Sequence, residues 1–371
     1  MRAQIATVIT ALSIRDSMDK AAVLCEGAFG KNMGKTAAGL VRHSLRFKII
    51  GVIDSTAPYG DAGEVLDGVH RGIPIFHSLQ EMIKSQESRP KYLIIGVATI
   101  GGKLPDPFRP TVKEALEAGI NVISGLHEQI GNEPEFASAA KAGGTVIIDI
   151  RKERKFDQLH HFRNLSKDLP CVRIPVLGTD AAIGKRTTAI ILTDALNALG
   201  VKTTFIATGQ TGLLQGSPYG VPLDAIRSDF VVGELEAEIV RAYEAEKPKI
   251  LIIEGQGSIS HPAYVTGSRA IVNASSPSGV ILQHAPRREF RTFHEAELHL
   301  PMPTIDSEME MIHLFAKSPV IAITLNHHNM SKDEVVETSN AYEARYKVPC
   351  TDVLLFGAEK IAKSIIGRYE L

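Results

Sequence analysis

Val176-Leu-Gly-Thr-Asp-Ala-Ala-Ile-Gly-Lys-Arg-Thr-Thr188, VLGTDAAIGKRTT in one-letter form, decides how the chain is read. The apolar run CVRIPVL (171–177) leads into it, and the helix-patterned run RTTAIILTDALNALG (186–200) leads out. Strand, glycine, lysine and helix in that order suit an anion-binding loop. Backbone N–H groups and the helix N-terminus point at the anion, and the lysine adds a full charge. Two departures from a nucleotide loop stand out. Five residues separate Gly178 from Gly184, so Thr179 takes the usual first-glycine place. Arg186 stands where a Ser or Thr would coordinate Mg²⁺; a guanidinium has only donors and cannot. The expected phosphate contacts are Gly178, Thr179, Gly184, Lys185, Arg186, Thr187 and Thr188. Lys185 and Arg186 together can neutralise a phosphate without metal, whereas Thr187 or Thr188 restores a hydroxyl if the loop shifts by one residue.

Outward from this loop, short β-branched runs alternate with amphipathic segments. AAVLCEG, FKIIGVID, KYLIIGVA, INVISG and GTVIIDI read as strands in the first half. CVRIPVLG, VKTTFIAT, DFVVG, PKILIIEG, GVILQHA, PVIAITLN and TDVLLFG do so in the second. PTVKEALEAG, RTTAIILTDALNALG and LEAEIVRAYEAEK read as helices. Near-continuous apolar strands separated by helices predict an α/β fold with mostly parallel sheets. The charge-dense stretch 151–168 divides the chain, giving expected domains of 1–165 and 166–371.

Composition excludes several classes. The 371 residues carry a net charge of −1, with 44% hydrophobic and 22% charged residues. Nothing draws the chain to nucleic acid or an anionic membrane. No run reaches the ~20 apolar residues of a membrane helix. The first dozen residues lack the features of a secretion signal. Cys25, Cys171 and Cys350 are odd in number and far apart, as expected of reduced thiols, so the cytoplasm is the expected location. No metal site is expected: the pairs His160-His161 and His327-His328 lack a third ligand.

In the first half, Gly27, Gly30 and Gly34 lie between a strand and a helix, and the next strand ends at Asp54. The spacing fits neither G-x-G-x-x-G nor G-x-x-x-x-G-K-T. It leaves open a plain Rossmann-like turn, a dinucleotide site, or another phosphate or acyl-carrier contact using Lys31 and Lys35. In the second half, ligands of open α/β sheets bind at strand carboxyl ends. Four segments should meet there: 207–212, 254–262, 284–291 and 326–328. Glu254 is a candidate base, metal ligand or structural contact. His261 is a second candidate catalytic residue, with a structural role the alternative. Gln210, Thr211, His284, Arg287, Arg288 and Arg291 are the candidate substrate contacts.

The lengthened loop GTD-x-x-x-GK and the strand tip EGQG resemble those of dethiobiotin-synthetase-like proteins. GTDAAIGKRTTA, TGQTGLLQG, EGQGSISHPAY and LQHAPRREF, in this order, resemble a bacterial and archaeal family catalogued as a domain of unknown function. DPFRPTVKEALEAGINVISGLHE and GGTVIIDIRK resemble its N-terminal part. The resemblance implies a Rossmann-like domain followed by a P-loop-like domain. It also implies D-glutamate N-acetyltransferase activity, with acetyl-CoA as donor and a small amino acid as acceptor; a homo-oligomer is expected as well. Acetyl transfer to an amine needs a base, an oxyanion site and a held acyl carrier. The rival readings are an ATP/Mg-dependent ligase or kinase and a nucleotide-binding protein without turnover.

Overall fold

The computed structural model describes residues 18–85, 89–264, 266–293 and 296–371. The segment 1–17, expected not to be a secretion signal, lies outside them. The chain is α/β and forms two compact units. The first comprises 1–153 together with 210–218, and the second comprises 154–209 and 219–371. This division differs from the two consecutive domains expected from the sequence. It falls at 153/154 and not at 165/166, and nine residues from the second half complete the first unit.

The first unit has six strands: β1 Asp19–Leu24, β2 Phe47–Ile53, β3 Ile75–Phe76, β4 Tyr92–Ile95, β5 Asn121–Ser124 and β6 Ile147–Asp149. They pair in parallel in the order β3-β2-β1-β4-β5-β6, the Rossmann arrangement, whose strand order reverses between β1 and β4. The last four residues of β1 and all of β4 are buried, as apolar strands covered on both faces must be.

The glycine turn after β1 binds the chain's own carboxylate. Asp54 Oδ1 accepts from the Gly27 N–H and Oδ2 from the Phe29 N–H, each at 2.9 Å. The Thr56 N–H and hydroxyl add bonds to Oδ1 at 2.9 and 2.8 Å. Burial alone would raise the Asp54 pKa, but these donors outweigh it and hold the group below the usual carboxylate value. The N–H groups that a dinucleotide phosphate would use are already engaged, which favours the plain-turn reading.

Residues 210–218 complete this unit. The helix Gln210–Gln215 lays Leu214, wholly buried, into the first core. Its Gln215 amide donates to Gly39 O at 2.8 Å and to His43 O at 3.0 Å. The Thr36 and Thr211 hydroxyls lie 3.0 Å apart.

The second unit holds β7 Val172–Gly178, β8 Thr203–Ile206, β9 Ile250–Glu254, β10 Val280–His284, β11 Phe290–Phe293, β12 Ala296–Pro301, β13 Val320–Leu325 and β14 Cys350–Thr351. Six form a parallel sheet in the order β14-β13-β10-β7-β9-β8; β11 and β12 form an antiparallel hairpin. Two expected strands are corrected. DFVVG lies in the helix Ser228–Glu246. There Val231, Leu235, Ile239 and Ala242 are buried at helical spacing, and that longer period overrides the local β-branched run. In TDVLLFG only Thr351 is strand; Asp352 caps the helix Val353–Phe356 by accepting from the Leu354 and Leu355 N–H groups.

The polar segment after Glu153 is pinned to the helix Ser228–Glu246. Glu234 accepts from the His160 N–H at 2.6 Å and from Arg154 at 2.8 Å. Glu236 accepts from the N–H groups of Arg163 and Leu165, both at 2.7 Å.

Asp54→Asn should lower the stability of the first unit by about 1–3 kcal/mol, because one carboxylate oxygen becomes a donor facing donors. Thermal denaturation checks this, and ligand affinity at the second unit's loop should not change.

Candidate functional site

In the second unit β7 lies between β9 and β10, and the quoted loop runs from its carboxyl end into the helix Lys185–Ala198. Gly184 caps that helix with φ of 106°, a conformation glycine adopts without the clash of a Cβ. The Lys185 stem is buried in a slot left by two further glycines. A Cβ added at either Gly178 or Gly255 would stand 3.0 Å from Lys185 Cδ. Its ammonium donates to Asp180 O at 2.5 Å. Burial pushes the Lys185 pKa down to about 8; Asp180 acts against this shift, and Arg288 adds to it.

Asp180 is the hub beneath the loop. Its wholly buried carboxylate takes Arg288 Nη1 on Oδ2 at 2.9 Å, and His261 Nε2 lies 3.3 Å from Oδ1. Arg288 also donates to Ala181 O at 2.8 Å and to Ala182 O at 3.4 Å. His261 Nδ1 accepts from the Ala263 N–H at 3.1 Å, which places the ring proton on Nε2, towards Asp180. Nδ1 is thus taken by a backbone N–H, and the approach of Nε2 to Asp180 is an ion-pair distance without hydrogen-bond geometry.

The three arginines of the expected anion patch part company. Arg287 pairs with Glu334. Arg288 clamps the loop. Arg291, buried, donates to the hydroxyls of Ser258 at 3.2 Å and Ser260 at 2.9 Å. Gln210 and Thr211 are part of the first unit, beside Thr36. His284 Nδ1 lies 2.9 Å from the Thr179 hydroxyl, and burial pushes the His284 pKa down to about 4, so the ring is neutral at pH 7.

Glu254, at the tip of β9, accepts on Oε2 from the Thr208 N–H at 2.9 Å and the Gly209 N–H at 3.2 Å. Burial raises its pKa above the ordinary value, with Arg186, the two N–H groups and Lys185 opposing the rise. Arg186 and Thr187 are half-buried at the helix start. Thr188 is buried, and its hydroxyl is committed to Gln283 Oε1 at 2.6 Å. The loop therefore presents two cations, Lys185 and Arg186, beside one carboxylate.

Asp180 and Gln283 were missed as site residues in the sequence. Asp180 lay inside the quoted motif. Gln283 carried a weaker signal, a polar residue within the otherwise apolar run VILQ of a fully buried strand. Elsewhere in this unit His327 Nδ1 meets Asp352 at 2.8 Å. Among the described residues no group of three or more His, Cys, Asp or Glu is arranged to hold a metal ion. Among them, too, no helix is long and apolar enough to cross a membrane.

Residues 160–362 match a domain of unknown function described as the DUF1611 P-loop domain. The chain belongs to the DUF1611 family. Residues 58–153 match the Rossmann-like N-terminal domain of DUF1611. A crystal structure of a DUF1611 protein from Anabaena variabilis is similar with a TM-score of 0.85 and 31% identity, over 94% of this chain and 99% of that one. A relative from a Pseudoalteromonas species, named D-glutamate N-acetyltransferase, is 32% identical over 74% of this chain and 81% of its own length. One of the same name from Tritonibacter scottomollicae is 29% identical over the same shares.

His284 sets a pH dependence. Its pKa falls on folding from 6.5 to about 4, so its contribution is complete above pH 6.5. It is lost as pH falls from 6.5 towards about 4, because the unfolded chain takes up the proton first. Stability should drop by up to about 3 kcal/mol across that window, and a His284→Asn variant should lose correspondingly less. Urea titrations at stepped pH measure the difference.

Proposed function

We propose that the protein is an N-acetyltransferase that moves acetyl from acetyl-CoA to the amino group of D-glutamate. The observation that carries this reading is the loop's chemistry. It has the backbone of a phosphate site, two cations at one helix N-terminus, and a Thr188 hydroxyl spent inside the core. Such a donor set suits a phosphate held as a handle, because it neutralises charge without a metal. The two relatives named D-glutamate N-acetyltransferase support the same reaction class.

In this reading the phosphates of acetyl-CoA rest on Gly184, Lys185, Arg186 and Thr187. The amine nitrogen of D-glutamate attacks the acetyl carbonyl carbon, the C–S bond breaks, and the thiolate of CoA leaves. The amine attacks in its unprotonated form, and the proton released from nitrogen passes to the departing thiolate, which leaves as the free thiol of CoA. Glu254 stands beside the cations, and so at the phosphate end of the donor, a pantetheine arm from the thioester. Its part is then to position Arg186 and Lys185. A base role for Glu254 belongs to a different arrangement, with the α-carboxylate of glutamate on the loop and the amine two bonds away.

One observation favours a second reading, Mg·ATP chemistry. Glu254 ends the strand next to the loop, where a carboxylate can hold magnesium opposite the Thr187 hydroxyl.

Calorimetry and kinetics separate these outcomes. Acetyl-CoA should bind in EDTA, and CoA should be released only when D-glutamate is present; binding of Mg·ATP alone would sink the transferase reading. Acetyl-pantetheine, which lacks the nucleotide phosphates, should show a KM raised by about a hundredfold or more, the loss of several charge-assisted contacts. If its KM is normal and Glu254→Gln instead cuts kcat by about 10²–10⁴, the carboxylate arrangement holds. Arg186→Ser should weaken acetyl-CoA binding by about tenfold.

A further inference from the structure

We infer that Gln283 is a third donor of the anion seat, and that Thr188 acts as its positioning residue in place of serving a metal. The inference rests on the reading that an anion occupies the loop, but not on acetyl transfer.

Gln283 lies on β10, next to β7, and is only 2% exposed. Its Oε1 receives two hydroxyls, Thr188 Oγ1 at 2.6 Å and Thr324 Oγ1 at 2.5 Å. These are O–H···O lengths, shorter than N–H···O bonds run, so the oxygen of the amide faces the threonines and its nitrogen faces away. Nε2 has no hydrogen-bond acceptor among the described residues. It stands 3.7 Å from the point where a Cβ on Gly184 would be, with Asn326 Nδ2 at 3.8 Å from the same point. Asn326 Nδ2 is already bonded to Ile183 O at 3.0 Å. Gln283 Nε2 thus lies beside Gly184 at the helix start, on the side to which a side chain at that position would point. Nε2 is not one of the wholly buried polar atoms left without a partner, so it keeps contact with solvent, and a donor so placed is available to a ligand oxygen.

The ligand class is an anionic oxygen, of a phosphate or a carboxylate. An amide N–H directed at the loop also repels a cation there. The two threonine protons that fix the amide thus have a second effect: the Thr188 hydroxyl is consumed in making a donor that disfavours a cation, which leaves Thr187 as the hydroxyl for magnesium under the second reading. The loop is built to hold an anion in the absence of metal.

The probe is inorganic pyrophosphate, titrated calorimetrically in EDTA. The wild-type protein should bind it without magnesium. Gln283→Glu keeps an oxygen for both threonines but turns the free donor into an anionic acceptor. Its affinity should fall by about a hundredfold or more; burying a carboxylate here also lowers the thermal midpoint, so affinity is read on the folded protein. Thr188→Val, of similar volume, frees one tether of the amide and should weaken binding by about tenfold; it serves as the second variant if Gln283→Glu does not fold. A purely structural glutamine would shift the thermal midpoint and leave pyrophosphate affinity unchanged, and that result in either folded variant overturns the inference. Wild-type binding that requires magnesium overturns it as well. Failure of acetyl transfer with these affinities intact would count against the proposed reaction and leave the role of Gln283 standing.

Discussion

The carboxylate of Asp180 is wholly buried, with Arg288 on one oxygen and His261 facing the other. A buried charge without a partner costs several kcal/mol, so Arg288 is held in place as firmly as the loop it touches. Its remaining donors then fix the carbonyls of Ala181 and Ala182. The carbonyl of Asp180 takes the Lys185 ammonium in the same way. One residue thus organises the loop's shape and its charge.

The cations of this unit are held by different acceptors. Arg287, Arg288 and Arg291 lie within five residues of one another, yet each has its own acceptors: a helix-capping glutamate, the loop, and the turn at Ser258–Ser260. Lys185 and Arg186 share the helix start, where the peptide dipoles favour negative charge. Burial moves Lys185 and Glu254 in opposite directions, towards the pH range in which protonation states change easily. Such pairs mark working sites more often than structural ones.

Much of the fold was legible because its signals were local. Glycine, lysine and a following amphipathic run placed the loop, and apolar runs placed most strands of both sheets. DFVVG misled because five residues cannot show whether their period is two or 3.6; the answer lay in Leu235, Ile239 and Ala242 further on. The site was less legible because proximity to a loop is not the same as facing it. Nothing in APRREF shows that three arginines diverge. Nothing in TGQTG shows that Gln210 and Thr211 belong to the other unit. Nothing in EGQGSISH shows that His261 lies against Asp180 with Nδ1 taken by a backbone N–H.

The departure of residues 210–218 from their own half of the chain has a consequence for the order of events during synthesis. Leu214 fills part of the first core, and Gln215 closes backbone bonds around Gly39 and His43. A nascent chain that has reached Glu153 holds all six strands of the first sheet and still lacks this piece. The sheet waits while β7, the loop, its helix and β8 emerge. Folding that normally proceeds domain by domain from the N-terminus is here interleaved, and the earlier unit matures only after the later one has begun.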